Sequence, residues 1–164
     1  MQQDNVTTKS EADRRSVFFE IPGEPRGKGR PRFNYRTGRA YTDDKTAAYE
    51  ELVILEYLKA AKDFSFPENT GLSVHITAYF AIPESASIKK QNKMLFGAIQ
   101  PCKRPDVDNI AKIICDALNG LAYKDDAQIT YLSVLKSYSL EPRVEVFLKT
   151  GSLIDTSAHT VSEL

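Results

Sequence analysis

Five charged positions, close together, carry the strongest chemical signal in this chain. Asp106 and Asp108 stand two residues apart, Lys112 follows four residues after Asp108, and the pair Asp125-Asp126 comes shortly afterwards. Carboxylates gathered in one place repel one another and hold their protons more tightly unless a cation sits among them. Hard oxygen ligands of this kind suit Mg²⁺ or Mn²⁺. Such a metal lowers the pKa of a bound water and neutralises charge that builds on a phosphate. Lys112 could stabilise the same charge or position the attacking water. A second group is basic. Arg26, Lys28, Arg30, Arg32, Arg36 and Arg39 fall between residues 21 and 42, against the single acid Glu24, and they alternate with Phe33, Tyr35 and Tyr41. Arginine grips phosphate through paired hydrogen bonds, and aromatic rings stack on exposed bases or wedge into a branch point. One basic arm and one acidic cluster can hold phosphate and metal, respectively.

The elements that must position these groups can be read from periodicity. A helix over 107–119 would carry Asp108 and Lys112 on neighbouring faces, with Val107, Ile110, Ile114, Ala117 and Leu118 towards the core and Gly120 as its stop. Asp106 falls at its start, where the helix dipole favours negative charge. A chain that turns back after this helix can bring Asp126 beside Asp106 and Asp108. An ordinary structural reading stays open beside this one, with Asp106 as a helix cap, Asp108–Lys112 as a surface pair and Asp125-Asp126 as turn residues.

Residues 16–21 read as a strand closed by Pro22-Gly23, and the segment rich in Gly, Pro and Arg that follows as a long mobile loop over 22–42. A helix capped by Asp43 or Asp44 runs to residue 62, with Tyr49, Leu52, Val53, Leu55, Leu58 and Ala61 as its apolar positions. Residues 72–82 alternate as a half-buried strand, with His75 on the more polar face as a surface histidine. A basic helix over 85–96 carries Lys89, Lys90 and Lys93 and reads as a solvated face. Residues 127–139 and 142–150 read as two strands forming a hairpin. The expected fold is α/β, in the mixed α+β sense: one small mixed sheet packed against helices. The domain spans 15–150, between a disordered tail over 1–14 and a flexible tail over 151–164.

Bulk properties narrow the field. The chain has 164 residues, suited to one domain, and no net charge, so only the distribution of charge points to nucleic acid. It lacks a run of about 18 apolar residues and a signal-like stretch, which points to a protein of the cytoplasm without a membrane partner. Cys102, read as a loop residue, and Cys115, read as helix packing, have no zinc-site spacing with His75 and His159. Known motifs near the acidic cluster fit poorly. A calcium loop starting at Asp106 would need Gly and Glu where Ala111 and Ala117 stand. A phosphatase-type Asp-x-Asp should follow an apolar strand, and the stretch from Gly23 to Gly29 is one residue short of a phosphate loop.

Taken together, Pro105-Asp106-Val107-Asp108-Asn109, Lys112, Asp116-Ala117-Leu118-Asn119 and Asp125-Asp126-Ala127-Gln128 resemble the RusA family of Holliday-junction resolvases, the crossover junction endodeoxyribonucleases. Ile21-Pro22-Gly23, Lys28-Gly29-Arg30-Pro31-Arg32 and Tyr41-Thr42 are similar to the family's phage and Gram-positive members. The resemblance covers roughly residues 16–150. It implies a homodimer that binds four-way DNA junctions and nicks two opposed strands using Mg²⁺, with Mn²⁺ able to substitute. It implies Asp106, Asp108 and Asp126 as metal ligands, Lys112 as the catalytic lysine, and Asn109 and Asp125 in support. DNA would be held by Arg26, Lys28, Arg30, Arg32, Arg36, Arg39, Lys103 and Arg104. Two alternatives share these residues: a nuclease for forks, flaps or D-loops, and a junction-binding protein without catalysis.

Overall fold

The computed structural model describes residues 16–30, 32–41 and 43–151. The expected tail over 1–14 lies outside these, and so does the tail over 151–164 apart from Gly151. The architecture is mixed α+β, as the order of elements predicts: a four-stranded mixed sheet with helices packed on it. The sheet is built from β1 (Ser16–Pro22), β4 (Leu72–Ala81), β5 (Ile129–Ser139) and β6 (Arg143–Thr150), in the order β1-β6-β4-β5. β6 is antiparallel to both β1 and β4, whereas β5 runs parallel to β4.

Alternation explains which face is buried. Val17, Phe19 and Ile21 of β1 join Val144, Val146 and Leu148 of β6 and the row Leu72, Val74, Ile76, Ala78 and Phe80 of β4 in one core. Two helices cover that face: α1 (Asp44–Ala61) packs on β1 and on α3 (Val107–Leu118), and α3 reaches β5. α2 (Ile88–Leu95) lies beside β5.

The hairpin expected between β5 and β6 is not there, because β4 is inserted between them. The turn at 140–142 reverses the chain but does not choose the pairing. Crossing one intervening strand spans about 9.6 Å, within reach of three extended residues. The insertion buries the whole apolar row of β4, and it leaves β5 at the sheet edge, where Leu132 and Leu135 are exposed.

The expected long loop over 22–42 also differs. β2 (Arg32–Asn34) and β3 (Arg39–Tyr41) pair antiparallel as a small hairpin, with Phe33 opposite Ala40. Gly38 supplies the left-handed conformation that its turn needs, at φ +65°. Helix α1 starts as predicted. Asp43 Oδ1 accepts from the backbone N–H of Lys45 at 2.9 Å and of Thr46 at 3.3 Å. Its buried side is nevertheless Thr46, Tyr49, Val53 and Tyr57, while Leu55 and Leu58 are exposed. Tyr57 is accommodated because its hydroxyl donates to the Phe64 carbonyl at 2.7 Å. His75 is half-buried rather than on the surface, between the rings of Tyr131 and Phe147, with Nδ1 2.7 Å from Ser133 Oγ.

Candidate active site

Helix α3 organises the site. Ile110, Ile113, Ile114, Ala117 and Leu118 are buried in the core, which turns the opposite side of the helix to solvent. Asp108, Lys112 and Asp116, each four residues after the last, form the exposed stripe. Val107, expected in the apolar stripe, lies on the exposed side as well. Asp106 occupies the cap position, yet its side chain makes no capping hydrogen bond. Its carboxylate is exposed and lines the cleft described below.

The approach to this helix is held by a residue that sequence reading passed over. Lys136 of β5 donates to the carbonyls of Lys103 and Pro105, the latter at 3.0 Å. The ammonium groups of Lys103 and Lys136 both lie over the Phe80 ring, at 5.0 and 5.2 Å from its centre. One core aromatic and one edge-strand lysine thereby fix the main chain immediately before Asp106. A lysine within an amphipathic strand gives no sequence signal for such a role.

The segment rich in Gly, Pro and Arg forms the facing wall. The Lys28 N–H donates to the Asn109 carbonyl at 2.9 Å. Gly27 lies so close to α3 that a Cβ there would stand 2.7 Å from Pro105 Cβ and 2.9 Å from Asn109 Cβ. Gly29 approaches the start of α1 in the same way: a Cβ there would stand 2.7 Å from Thr46 Oγ1. Between this segment and the starts of α1 and α3 opens a cleft of about 1080 Å³, lined among others by Arg26, Arg30, Lys45, Arg104, Asp106 and Asn109. Arg26, Arg30, Arg104 and Asp106 are exposed to it. Lys28 also borders the cleft, but its ammonium turns to Glu50 of α1 and to Asp116 of α3, the latter at 2.9 Å. Burial works against the Lys28 charge, yet the hydrogen bonds its ammonium donates to the two carboxylates raise its pKa above the ordinary value. Glu50 was not anticipated, and Asp116 entered only as part of a motif.

Other expected residues sit apart from the cleft. Arg36 and Arg39 are exposed on the β2–β3 hairpin and Lys103 is exposed before α3. The side chain of Arg32 is outside the described part of the structure. Asp125 caps the short 3₁₀ turn Asp126–Gln128, accepting from the Ala127 N–H at 2.8 Å, with Gln128 closing a reciprocal capping box. Asp126 is exposed at the first position of that turn.

The chain does turn back after α3. The Tyr123 hydroxyl donates to the Cys115 carbonyl at 2.9 Å, drawing the returning segment against the C-terminal half of the helix. Burial pushes the Cys115 thiol up to about 11, and the charges of Asp116 and Asp126 add to the effect. Asp108 and Asp116 are separated by about 12 Å of helix. Among the described residues, no three acidic, histidine or cysteine side chains stand close enough together to hold a metal ion. The gathering of Asp106, Asp108 and Asp126 read from the sequence is therefore not assembled in the single chain. Carboxylates facing water keep apart through mutual repulsion. Mg²⁺ commonly needs only one or two carboxylates, completing its shell with water and phosphate oxygens. The exposed pair Asp106 and Asp108 meets that smaller requirement in donor chemistry.

Comparison with known proteins gives two matches. The family model described as endodeoxyribonuclease RusA matches residues 22–149. An uncharacterized protein of Bacillus subtilis (strain 168), YqaN, is 39% identical over 141 residues, covering 83% of this chain and 97% of the relative.

Proposed function

Because this chain belongs to the RusA endodeoxyribonuclease family, we propose that it hydrolyses phosphodiester bonds in branched DNA and resolves four-way junctions by paired nicks. One observation carries the reading. The acidic start of α3 opens onto a cleft whose other wall presents Arg26 and Arg30, with Arg104 beside Asp106. Arginines take hold of the sugar–phosphate backbone, and the Asp106 carboxylate faces it with oxygen donors. Asp106 and Asp108 would hold Mg²⁺, or Mn²⁺ in its place, and Asp126 would complete the set only if the segment after α3 closed on the start of that helix. A metal held there would supply a water of lowered pKa and neutralise charge on the phosphate. Lys112, one turn beyond Asp108, is the cation available to the leaving or attacking oxygen. Asn109 supports the site through its carbonyl, which the basic segment binds. Arg36, Arg39 and Lys103 extend the contact beyond the cleft.

Paired nicks call for a two-fold assembly, so the working form is a homodimer. Its setting is the cytoplasm; no helix among the described residues is long and apolar enough to cross a membrane. The test is cleavage of a labelled four-way junction, a fork and plain duplex, with Mg²⁺ and with EDTA, by the wild type and by Asp108→Asn. Paired, metal-dependent nicks in the junction that vanish in the variant are expected. Preference for the fork would keep the chemistry and change the substrate. Tight junction binding without cleavage would overturn the enzyme reading.

A further inference from the structure

Three basic residues at alternate positions, Arg26, Lys28 and Arg30, are indistinguishable in the sequence. The fold separates them. Arg26 and Arg30 are exposed, whereas the Lys28 side chain is only 23% exposed and ends between two carboxylates on two different helices. We propose that Lys28 is a positioning residue, a staple that holds the basic segment across α1 and α3 so that Arg26 and Arg30 face Arg104 over the cleft, and that it does not itself contact DNA.

Four features converge on this. The ammonium joins three segments distant in sequence: its own loop, Glu50 of α1 and Asp116 of α3. The backbone of the same residue is bound to Asn109 of α3. The glycines on either side make close approaches, Gly27 to α3 and Gly29 to the start of α1, so the segment is pressed onto both helices where Lys28 anchors it. Finally, Lys28 is one positive charge shared by two negative ones. The three groups together are acidic by one unit and offer no attraction to a phosphate. For Lys28 to leave and bind DNA, it would abandon both carboxylates and leave them facing each other and the incoming phosphate. Arg26 and Arg30 have no such alternative partners among the ion pairs of the described residues.

The consequence for DNA rests on the function proposed above, so the experiment has one arm without DNA. In that arm, amide hydrogen exchange is followed over residues 24–30 of the wild type, Lys28→Met, Lys28→Arg, Glu50→Gln and Arg30→Ala. In the other, binding of the labelled four-way junction is measured in EDTA as a function of salt. A staple predicts at least tenfold faster exchange at the residue-28 amide in Lys28→Met and Glu50→Gln, with Lys28→Arg close to wild type and Arg30→Ala unchanged. It also predicts weaker junction binding by Lys28→Met with the salt slope intact, whereas Arg30→Ala lowers the slope by about 0.9, the value for one lost phosphate contact. Glu50→Gln separates the two roles by sign. A staple that loses a carboxylate loosens, and affinity falls. A phosphate contact released from that carboxylate is strengthened, and affinity rises. Unchanged exchange in both variants, or a lowered salt slope in Lys28→Met, overturns the proposal. If the wild type binds no junction, the function reading fails, and exchange alone decides the staple.

Discussion

Replacing Gly27 with alanine asks whether the cleft depends on the contact between the basic segment and α3. The added methyl would lie 2.7 Å from Pro105 Cβ and 2.9 Å from Asn109 Cβ. Relaxed carbon–carbon contact needs about 3.5–4.0 Å, so one side must move by about 1 Å. The neighbours resist. Pro105 is a ring whose carbonyl is held by Lys136, and the Asn109 carbonyl already accepts the Lys28 N–H. Staying in place would carry the cost of overpacking, about 1–3 kcal/mol. Lifting the segment sacrifices that hydrogen bond, about 0.5–1.5 kcal/mol net, and loosens ion pairs each worth about 0–1 kcal/mol where solvent reaches them. The two costs overlap, and lifting disturbs no core residue, so we expect local detachment. Exchange at the residue-28 amide should then rise by about tenfold, a local penalty of about 1.4 kcal/mol. Junction affinity should fall, while the urea midpoint of the whole domain moves little. Gly23→Ala is the control. Nothing lies within 4 Å of its new Cβ, but φ is +92°, so its cost of about 1–2 kcal/mol is backbone strain. That variant should lower global stability and leave the segment closed. Wild-type exchange and affinity in Gly27→Ala would refute the reasoning, because no pressing contact could then exist.

Other expectations test separate parts of the structure. Lys136→Met removes the donor to the Lys103 and Pro105 carbonyls; hydrogen bonds from a charged group are worth about 1.5–3 kcal/mol, so thermal unfolding should fall and single-turnover nicking should slow. A variant with wild-type melting and nicking would remove Lys136 from the support of Asp106. Cys102 is exposed, whereas burial pushes the Cys115 thiol up to about 11. A thiol reagent at pH 8 should therefore label one cysteine quickly and the second only in denaturant, since thiolate is the reactive form; two fast thiols would contradict the packing of α3. Burial, with the charge of Lys149 adding to it, holds His75 below its ordinary pKa. The unfolded chain then takes up the proton first, so stability present at neutral pH declines as pH falls through the unfolded value of about 6.5 towards the lower folded one. Urea midpoints between pH 7.5 and 5 should show that decline, His75→Gln should flatten it, and an equal slope in both proteins would exclude His75 as its source.

The elements legible in the sequence were those whose burial follows a single period. β1, β4 and β6 alternate cleanly, and α3 carries enough isoleucine on one side to fix its orientation. α1 was legible in extent but only partly in facing, because Tyr57 looks polar and is wholly buried, while Leu55 and Leu58 look apolar and are exposed. The place of β4 between β5 and β6 could not be read locally. A turn specifies reversal over a few residues, whereas the choice of neighbour is decided by which arrangement covers the most apolar surface across the whole sheet.

The site divides along the same line. The acidic residues were visible as a group of closely spaced carboxylates, and Asp106 and Asp108 do share one exposed helix start. The basic residues were visible only as a group, since each adds the same charge to the sequence whatever it faces. What separates a cation for DNA from a cation for the fold is its partner, and the partners of Lys28 and Lys136 lie 22, 88, 33 and 31 residues away. A chain without net charge can attract a polyanion only if some of its cations remain unneutralised. Committing Lys28 to Glu50 and Asp116, and Lys136 to two carbonyls, spends cations on rigidity, and in the proposed function the cleft arginines keep their charge for DNA. If Glu50→Gln tightens DNA binding instead of weakening it, that division of labour is wrong, and Lys28 returns to the binding surface.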